Sequence, residues 1–565
     1  MRRSSLRGLV LAIAWGIAAG PAGAQSSPPD AVPSFSDERL WSEEGAPASG
    51  ELPPDLEPNA PIVESGQPLS LDEAVALSLR NNLDLEIQRF APLIAEADRD
   101  GAWGAYDPVL NADARYDVQK TPNTFLTAFN PIQVNRDRVE GGGVGIDQKI
   151  PLIGADVKLR FDSTSTVTRS RFINRDPLYN SSFFVSSTIP LARGLIWNQP
   201  WTQVKISNLE FGRSIDDFQG SVMNTVRGTV EAYWTLVAAA EQVRVAQKSL
   251  ETARALLEQT RTQYEVGVVS RVEVVESEAG VAEREFQVIQ QAAAYRNAQD
   301  VLIDAVLGAE LAATTTLQLS PTEDPEAYEM RSVDVERAVE QAFTSRPELR
   351  AADQQIEQSE VNLKFARNQR LPRFDAELRY GYIGVAGRRN QALPPPTPPA
   401  LPRPENSVYG NSVDDFFHGN GNENFTAKGV FSIPIPNTAA RKQVARGEFE
   451  LRRAEATRLR LEKTIIIEVR KAARELLASA QGIEAAERAR LSAEEQLRAE
   501  RVKLEHGEST PFEVLDREKS LVEAESKKID ALRAYRSAEI GLERAQGTIL
   551  DFFRVEIDDV REPTS

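Results

Sequence analysis

Two rhythms of apolar residues run along this chain, and each is written twice. One steps by three and four: Val272, Val275, Ala279, Ala282, Phe286, Ile289 and Ala293. That is a 3.5-residue seam, which predicts left-handed coiled-coil packing. Upstream, Ile215, Phe218, Val222, Val226, Val230 and Tyr233 repeat it less strictly. No proline interrupts Trp201 to Ser320 or Asn437 to Thr510. A helix from Gln203 to Val266 would run roughly 90–95 Å, and its counterpart from Thr438 to Glu505 about 100 Å, at 1.5 Å per residue. Helices of that length exceed any globular core.

The second rhythm is strict alternation. Leu110, Ala112, Ala114, Tyr116 and Val118 alternate with Asn111, Asp113, Arg115 and Asp117. Phe374, Ala376, Leu378, Tyr380 and Tyr382 alternate with Asp375, Glu377 and Arg379, and Val157, Leu159 and Phe161 with Lys158, Arg160 and Asp162. Weaker versions lie at 142–150, 181–191 and 424–433. A period of two with a charged opposite face suits a half-buried antiparallel strand. Strands of about nine to ten residues with aromatics towards one end equally suit a transmembrane β-barrel, lipid on one side and water on the other. A soluble sandwich and a barrel are both open on the strands alone; their company with such long helices favours the barrel.

Both rhythms belong to a tandem duplication. Leu71-Asp72-Glu73-Ala74-Val75 matches Val335-Glu336-Arg337-Ala338-Val339, and the same offset of 264 brings Tyr116 onto Tyr380. Gly267-x5-Glu273-Val274-Val275-Glu276 matches Gly507-x5-Glu513-Val514-Leu515-Asp516 at an offset of 240. The offset falls by 24, so the first copy carries extra residues. Four strands fit there, at 109–118, 142–150, 155–167 and 181–191, hinged at Pro151-Leu152-Ile153-Gly154. The surplus is either a surface excursion or an extra membrane hairpin, and alternation favours the hairpin. That reading gives six strands per chain.

The ends add an address. Arg2, Arg3 and Arg7, the apolar run Leu9 to Ala19 and Ala22-Gly23-Ala24 read as a secretory signal over 1–24. The run is too short for a membrane helix, which needs roughly 20 residues. Residues 25–66 hold eight prolines and nine carboxylates against one arginine, the composition of a disordered acidic leader. The expected organisation is repeat 1 at 67–320, a linker at 321–332, repeat 2 at 333–550 and a tail at 551–565.

Composition excludes most chemistry. The 565 residues contain no cysteine and only His418 and His506, so disulfides, thiolate metal sites and Ser-His-Asp chemistry lack their residues. No nucleophile–base pair stands out, and no cofactor is expected; the chain does not read as an enzyme. A formal charge of −18 argues against nucleic acid as a partner. His506 beside Gly507 reads as a turn residue, and His418 lies in a loop without companion ligands. Gly141-Gly142-Gly143 precedes a strand rather than a helix, so it is no phosphate loop. Pro394-Pro395-Pro396-Thr397-Pro398-Pro399 should be a stiff exposed loop.

Taken together, the duplicated starts, Ile189-Pro190-Leu191 and Ile433-Pro434-Ile435, Ala232-Tyr233-Trp234-x-Leu236, and the two turns at Gly267 and Gly507 resemble the TolC family of outer-membrane channels. The resemblance spans about 480 of the 565 positions. It implies an α+β membrane protein: a homotrimer whose strands close one transmembrane β-barrel in outer-membrane lipid, continued by a coiled-coil α-helical barrel through the periplasm. It implies a passive duct for efflux or type I secretion, partnered by a periplasmic adaptor and an inner-membrane transporter. By position it places the aperture ring at Glu513 and Asp516, and a gate partner at Glu273. The family's latch tyrosine and arginine fall here on Leu504 and Ser509, so the usual latch is missing; Arg271 or Arg517 could supply replacement pairs. Glu513 and Asp516 also read as solvated helix-start acids favoured by the dipole. The competing function is a periplasmic coiled-coil adaptor or scaffold without a pore.

Overall fold

The structure, a computed structural model, describes residues 66–122, 134–168, 175–308, 317–389, 409–418 and 422–556. The signal segment, nearly all of the leader, the Pro394–Pro399 loop and the last part of the tail lie outside these residues.

A short strand β1 (Gln67–Leu69) precedes helices α1 (Leu71–Asn81) and α2 (Leu83–Trp103). Four strands follow, β2 (Val109–Pro122), β3 (Val134–Lys149), β4 (Asp156–Thr168) and β5 (Arg175–Pro190), then the hairpin α3 (Gln199–Glu265) and α4 (Arg271–Leu307). The second copy runs β6 (Leu319–Pro321), α5 (Val335–Ser345), α6 (Pro347–Gln369), β7 (Arg373–Arg389), α7 (Tyr409–His418), β8 (Glu423–Ser432), α8 (Thr438–Glu505), α9 (Pro511–Gln546) and α10 (Ile549–Phe552). The duplication keeps register at element ends: Leu71 and Val335 open equivalent helices 264 apart, and Arg271 and Pro511 do so 240 apart. The helix starts carry their own signals. Ser70 and Glu73 form a capping box on α1, and the Asp334 carboxylate accepts from the backbone N–H groups of Glu336 and Arg337 on α5. α3 has 67 residues and α8 has 68, each about 100 Å long.

All six long strands join one antiparallel sheet in the order β2-β3-β4-β5-β7-β8. The surplus of the first copy is thus two further strands of that sheet, turned at Leu152 and Gly154 with φ of 64° and 68°. One cross-strand row reads Leu110, Ile146, Leu159, Val185, Tyr380 and Phe425, apolar throughout and largely exposed. The opposite face carries Asp147, Lys158 and Arg379, and Arg160 ion-pairs with both Asp113 and Asp162. Along β7 the apolar band runs from Phe374 to Tyr382, about 20 Å once a barrel tilt is allowed for.

The strands are longer than expected, up to 17 residues in β7. Above the apolar band this face turns small and polar at Ser163, Ser181 and Gly384, and α7 covers it. Phe416 stands edge-on to Phe161 at 6.4 Å, Tyr409 to Tyr179 at 4.8 Å, and the Ser181 and Ser412 hydroxyls lie 2.6 Å apart. Asp415 Oδ2 accepts the Val385 N–H at 3.0 Å, where β8 no longer reaches. Two sequence expectations change here. His418 ends α7 instead of lying in a loop, and Gly141–Gly143 sit inside β3, not before it. A helical segment inside the β7–β8 connection is too short to announce itself by period.

Each hairpin has its own core, related by the duplication. Val222, Val226, Val230, Tyr233 and Leu236 of α3 pack with Tyr295 and Leu302 of α4 and Ala74 and Val75 of α1. Ile465, Val469 and Leu476 of α8 pack with Leu532 and Tyr535 of α9 and Ala338 of α5. Tyr233 also ties the copies together: its hydroxyl donates to Leu69 O at 3.0 Å and accepts from the N–H groups of Thr322 and Glu323 at 3.2 and 3.4 Å. Tyr233→Phe leaves these groups without their partner, at a cost of about 1–3 kcal/mol. The expected result is a lower midpoint of thermal unfolding, with an unchanged circular dichroism spectrum at room temperature.

The expected seam of α3 is buried from Phe218 to Tyr233, whereas that of α4 is not. Val272, Val275 and Phe286 are 64%, 54% and 60% exposed. The buried positions of α4 are Ser277, Gly280, Arg284, Val288, Ala292, Tyr295 and Gln299, then Leu302, Ile303 and Val306, a row displaced around the helix from the expected seam. Small and polar residues let the hairpins approach closely here, and the more apolar stripe is left without a partner within the chain.

Candidate functional site

The two hairpins end in matching turns. Gly267 and Gly507 hold φ of +79° and +75°, the left-handed conformation that reverses a helix without Cβ strain. Each returning helix is capped. Ser270 opens α4, and Thr510 opens α9 with its hydroxyl accepting the Glu513 N–H at 3.4 Å.

Glu513 and Asp516 stand exposed on the first turns of α9, one beyond the other on the same side. Glu273 is engaged locally: its carboxylate accepts from the Ser270 N–H and hydroxyl at 3.4 and 3.2 Å, completing the capping box of α4. Arg271 is exposed and forms no ion pair among the described residues. The structure therefore brings Glu513 and Asp516 together, and does not bring Glu273 and Arg271 to each other. His506 is a turn residue, its Nδ1 lying 2.8 Å from Val502 O.

The latch positions hold other contacts. Leu504 packs against an apolar cluster of Ala253, Leu256, Leu497, Val514 and Leu515, which spans both hairpins. The Ser509 hydroxyl donates to Glu500 Oε1 at 2.6 Å. That bond first, then Lys503, hold the Glu500 carboxyl below its ordinary range. At these positions apolar packing and one Ser509–Glu500 hydrogen bond stand where the resemblance implies a latch.

The sequence reading missed Glu518 and Arg284. Both are buried between the hairpins, at 3% and 4% exposure. Arg284 Nη2 donates to Leu515 O at 3.2 Å. The offset of 240 was the available signal, since it lays Glu518 on Glu278 and Arg501 on Arg261. Among the described residues no group of acids and histidines could hold a metal ion, and no helix is long and apolar enough to cross a membrane.

The comparisons agree with this geometry. The family profile for outer membrane efflux proteins matches residues 144–308 and 338–548, one stretch in each copy. No curated protein matches the chain in sequence. Among solved structures the chain is similar to the outer-membrane channel OprN, with 17% identity over 85% of this chain and 90% of that one and a TM-score of 0.60. It is similar to VceC of Vibrio cholerae, with 15% identity, 84% and 96% coverage and a TM-score of 0.58. It is also similar to the CmeC channel of Campylobacter jejuni, with 15% identity, 85% and 86% coverage and a TM-score of 0.57. These likenesses establish the fold, and the family profile sets the adaptor alternative aside. The chain belongs to the outer membrane efflux protein family, whose members are passive channels, not enzymes, lodged in the outer membrane with a periplasmic extension.

Proposed function

We propose that three copies of this chain close into one export duct, gated at the hairpin tips, serving as the outer-membrane exit of a tripartite efflux pump or a type I secretion system. The observation that carries this reading is the sheet with two bare edges, β2 and β8. Lipid cannot satisfy the backbone groups of a sheet edge, so β8 of one copy has to find β2 of the next. Six strands from each copy make a barrel of about eighteen, wide enough for an aqueous channel.

The helices support the same closure. Exposed Phe286 and Val301 on α4 lie 19 and 34 residues from Gly267, and exposed Leu491 and Leu477 on α8 lie 16 and 30 from Gly507, within about one helical turn of the same levels. Within one chain α3 already packs against α9, so α4 is free to meet α8 of a neighbour. The adaptor and the inner-membrane transporter would supply energy and cargo, and the duct itself only conducts.

At the tip, three-fold rings of Glu513 and Asp516 would line the bore and favour cations, because carboxylates gathered near one axis attract cations and repel anions. The whole reading is tested in membranes. The protein should resist carbonate extraction, leave only with detergent and run as a trimer. In planar bilayers E513Q/D516N should lower conductance and cut cation preference several-fold in dilute salt, since the ring no longer concentrates cations. The difference should shrink near 1 M salt, where the screening length falls to about 3 Å. Unchanged selectivity would remove the ring, and a carbonate-soluble monomer would remove the duct.

A further inference from the structure

The duplication sets up an internal comparison. In the first hairpin, Arg261 of α3 and Glu278 of α4 are both exposed and ion-paired at 2.9 Å. Their equivalents in the second hairpin are Arg501 of α8 and Glu518 of α9, 240 residues on. There the pair is broken: Arg501 is exposed and unpaired among the described residues, while Glu518 is drawn into the seam where α9 packs on the first hairpin.

Glu518 is poorly accommodated in that seam. Its Oε2 is buried with no hydrogen-bond partner, and so is the hydroxyl of Ser249, which faces it from α3. Arg284 faces it from α4 and Arg501 from α8, but the Arg284 guanidinium is turned to Leu515 O and Glu283 instead, at 3.2 and 3.4 Å. The seam is tight at this level, since a Cβ on Gly280 would sit 2.9 Å from Leu515 Cδ1. With Oε2 unbonded, an ionised carboxylate is held less well there than a neutral carboxyl.

Resting on the gated-duct reading, we propose that Glu518 is a proton-binding site that sets the position of the second hairpin. With its proton it stays sheathed against Ser249 and Arg284 and the hairpins stay packed. Without it, α9 moves off the first hairpin and Glu518 pairs with Arg501, as Glu278 already does with Arg261. Opening therefore releases one proton per copy and needs no other reactant.

Burial first, against the weaker pull of Arg284 and Arg501, pushes the Glu518 carboxyl up to about 7. Hydrated, it returns towards 4.5. The packed state has the raised value, so its advantage is complete below about 4.5 and is lost as pH rises to about 7. The open-to-packed ratio then grows on the order of a hundredfold per copy across that window and is flat above it.

Conductance of the reconstituted trimer should be recorded from pH 4.5 to 8. Wild type should rise with pH and level off near 7. E518Q, which cannot ionise, should stay low and lose the rise, and R284M should extend the rise to higher pH. R501M should blunt the rise by removing the open-state partner. An infrared band of a protonated carboxyl in the packed trimer should titrate near pH 7 and vanish in E518Q. If E518Q conducts with the wild-type pH profile, or the band is absent, the inference is overturned. Failure of the underlying gate shows differently: wild type and E513Q/D516N would then conduct alike at every pH.

Discussion

Phe286→Glu is expected to abolish the trimer while leaving the protomer folded. Phe286 is 60% exposed on α4, so the single chain loses little by the change. In a closed helical barrel the same position is buried against a neighbour, and three unpaired carboxylates would enter an apolar seam. Each costs several kcal/mol when left without a partner, and the apolar contact of Phe286 itself is lost as well. Size-exclusion chromatography with light scattering in detergent should show a monomer, and circular dichroism should keep the helical signal. Adding Leu491→Lys, at the matching level of α8, should restore part of the trimer by pairing the charge. Val288→Glu makes the contrast: Val288 is fully buried within the chain's own hairpin, so that variant should lose helix as well as assembly. A Phe286→Glu trimer as stable as wild type would show that this stripe faces something else.

Deleting residues 134–168 should narrow the barrel without opening it. The cut removes β3 and β4, an even number of strands, so β2 can pair with β5 in the same antiparallel sense. The faces survive as well: Ala112 and Phe183 lie in one cross-strand row, linked through Val144 and Phe161. Four strands per copy would make twelve, reducing the diameter to about two thirds and the cross-section to under half. The helical barrel and tip stay as they are, so the change is read from outside. Polyethylene glycols added on the outer side of a bilayer should be excluded at a smaller size, and the protein should still run as a trimer. An unchanged size limit would mean that β3 and β4 do not line the bore.

Much of this was legible before any coordinates. Alternation placed all six long strands, because a face that meets lipid or a packed layer must repeat every second residue. The absence of proline and the turn glycines bounded α3 and α8 within a few residues, since nothing else in the chain can stop a helix so abruptly. What escaped was the direction in which helices face. The seam read on α4 from its larger apolar residues points outward, and Ser277, Gly280 and Arg284 face inward. In a hairpin that must also pack on a second hairpin, close approach selects small side chains, and hydropathy cannot rank that.

The tip divides in the same way. The family resemblance placed Glu513 and Asp516 by their position after Gly507, and both stand exposed at the helix start. Glu273 was assigned a partner across the gate, yet Ser270, three residues before it, claims its carboxylate, as capping boxes do. Glu518 was passed over as one more acid in a charged helix.

By itself the sequence determined the duplication, the two element types and the exclusion of catalysis, since each follows from period, composition or residue stock. Only the tertiary structure decided that the surplus of 24 residues adds two strands to one sheet, that α7 covers its upper rows, and that equivalent glutamates in the two copies meet water and burial respectively. The reason is physical. Period and propensity belong to a segment, whereas which face is covered, and which charge loses its partner, depends on what a distant segment brings against it.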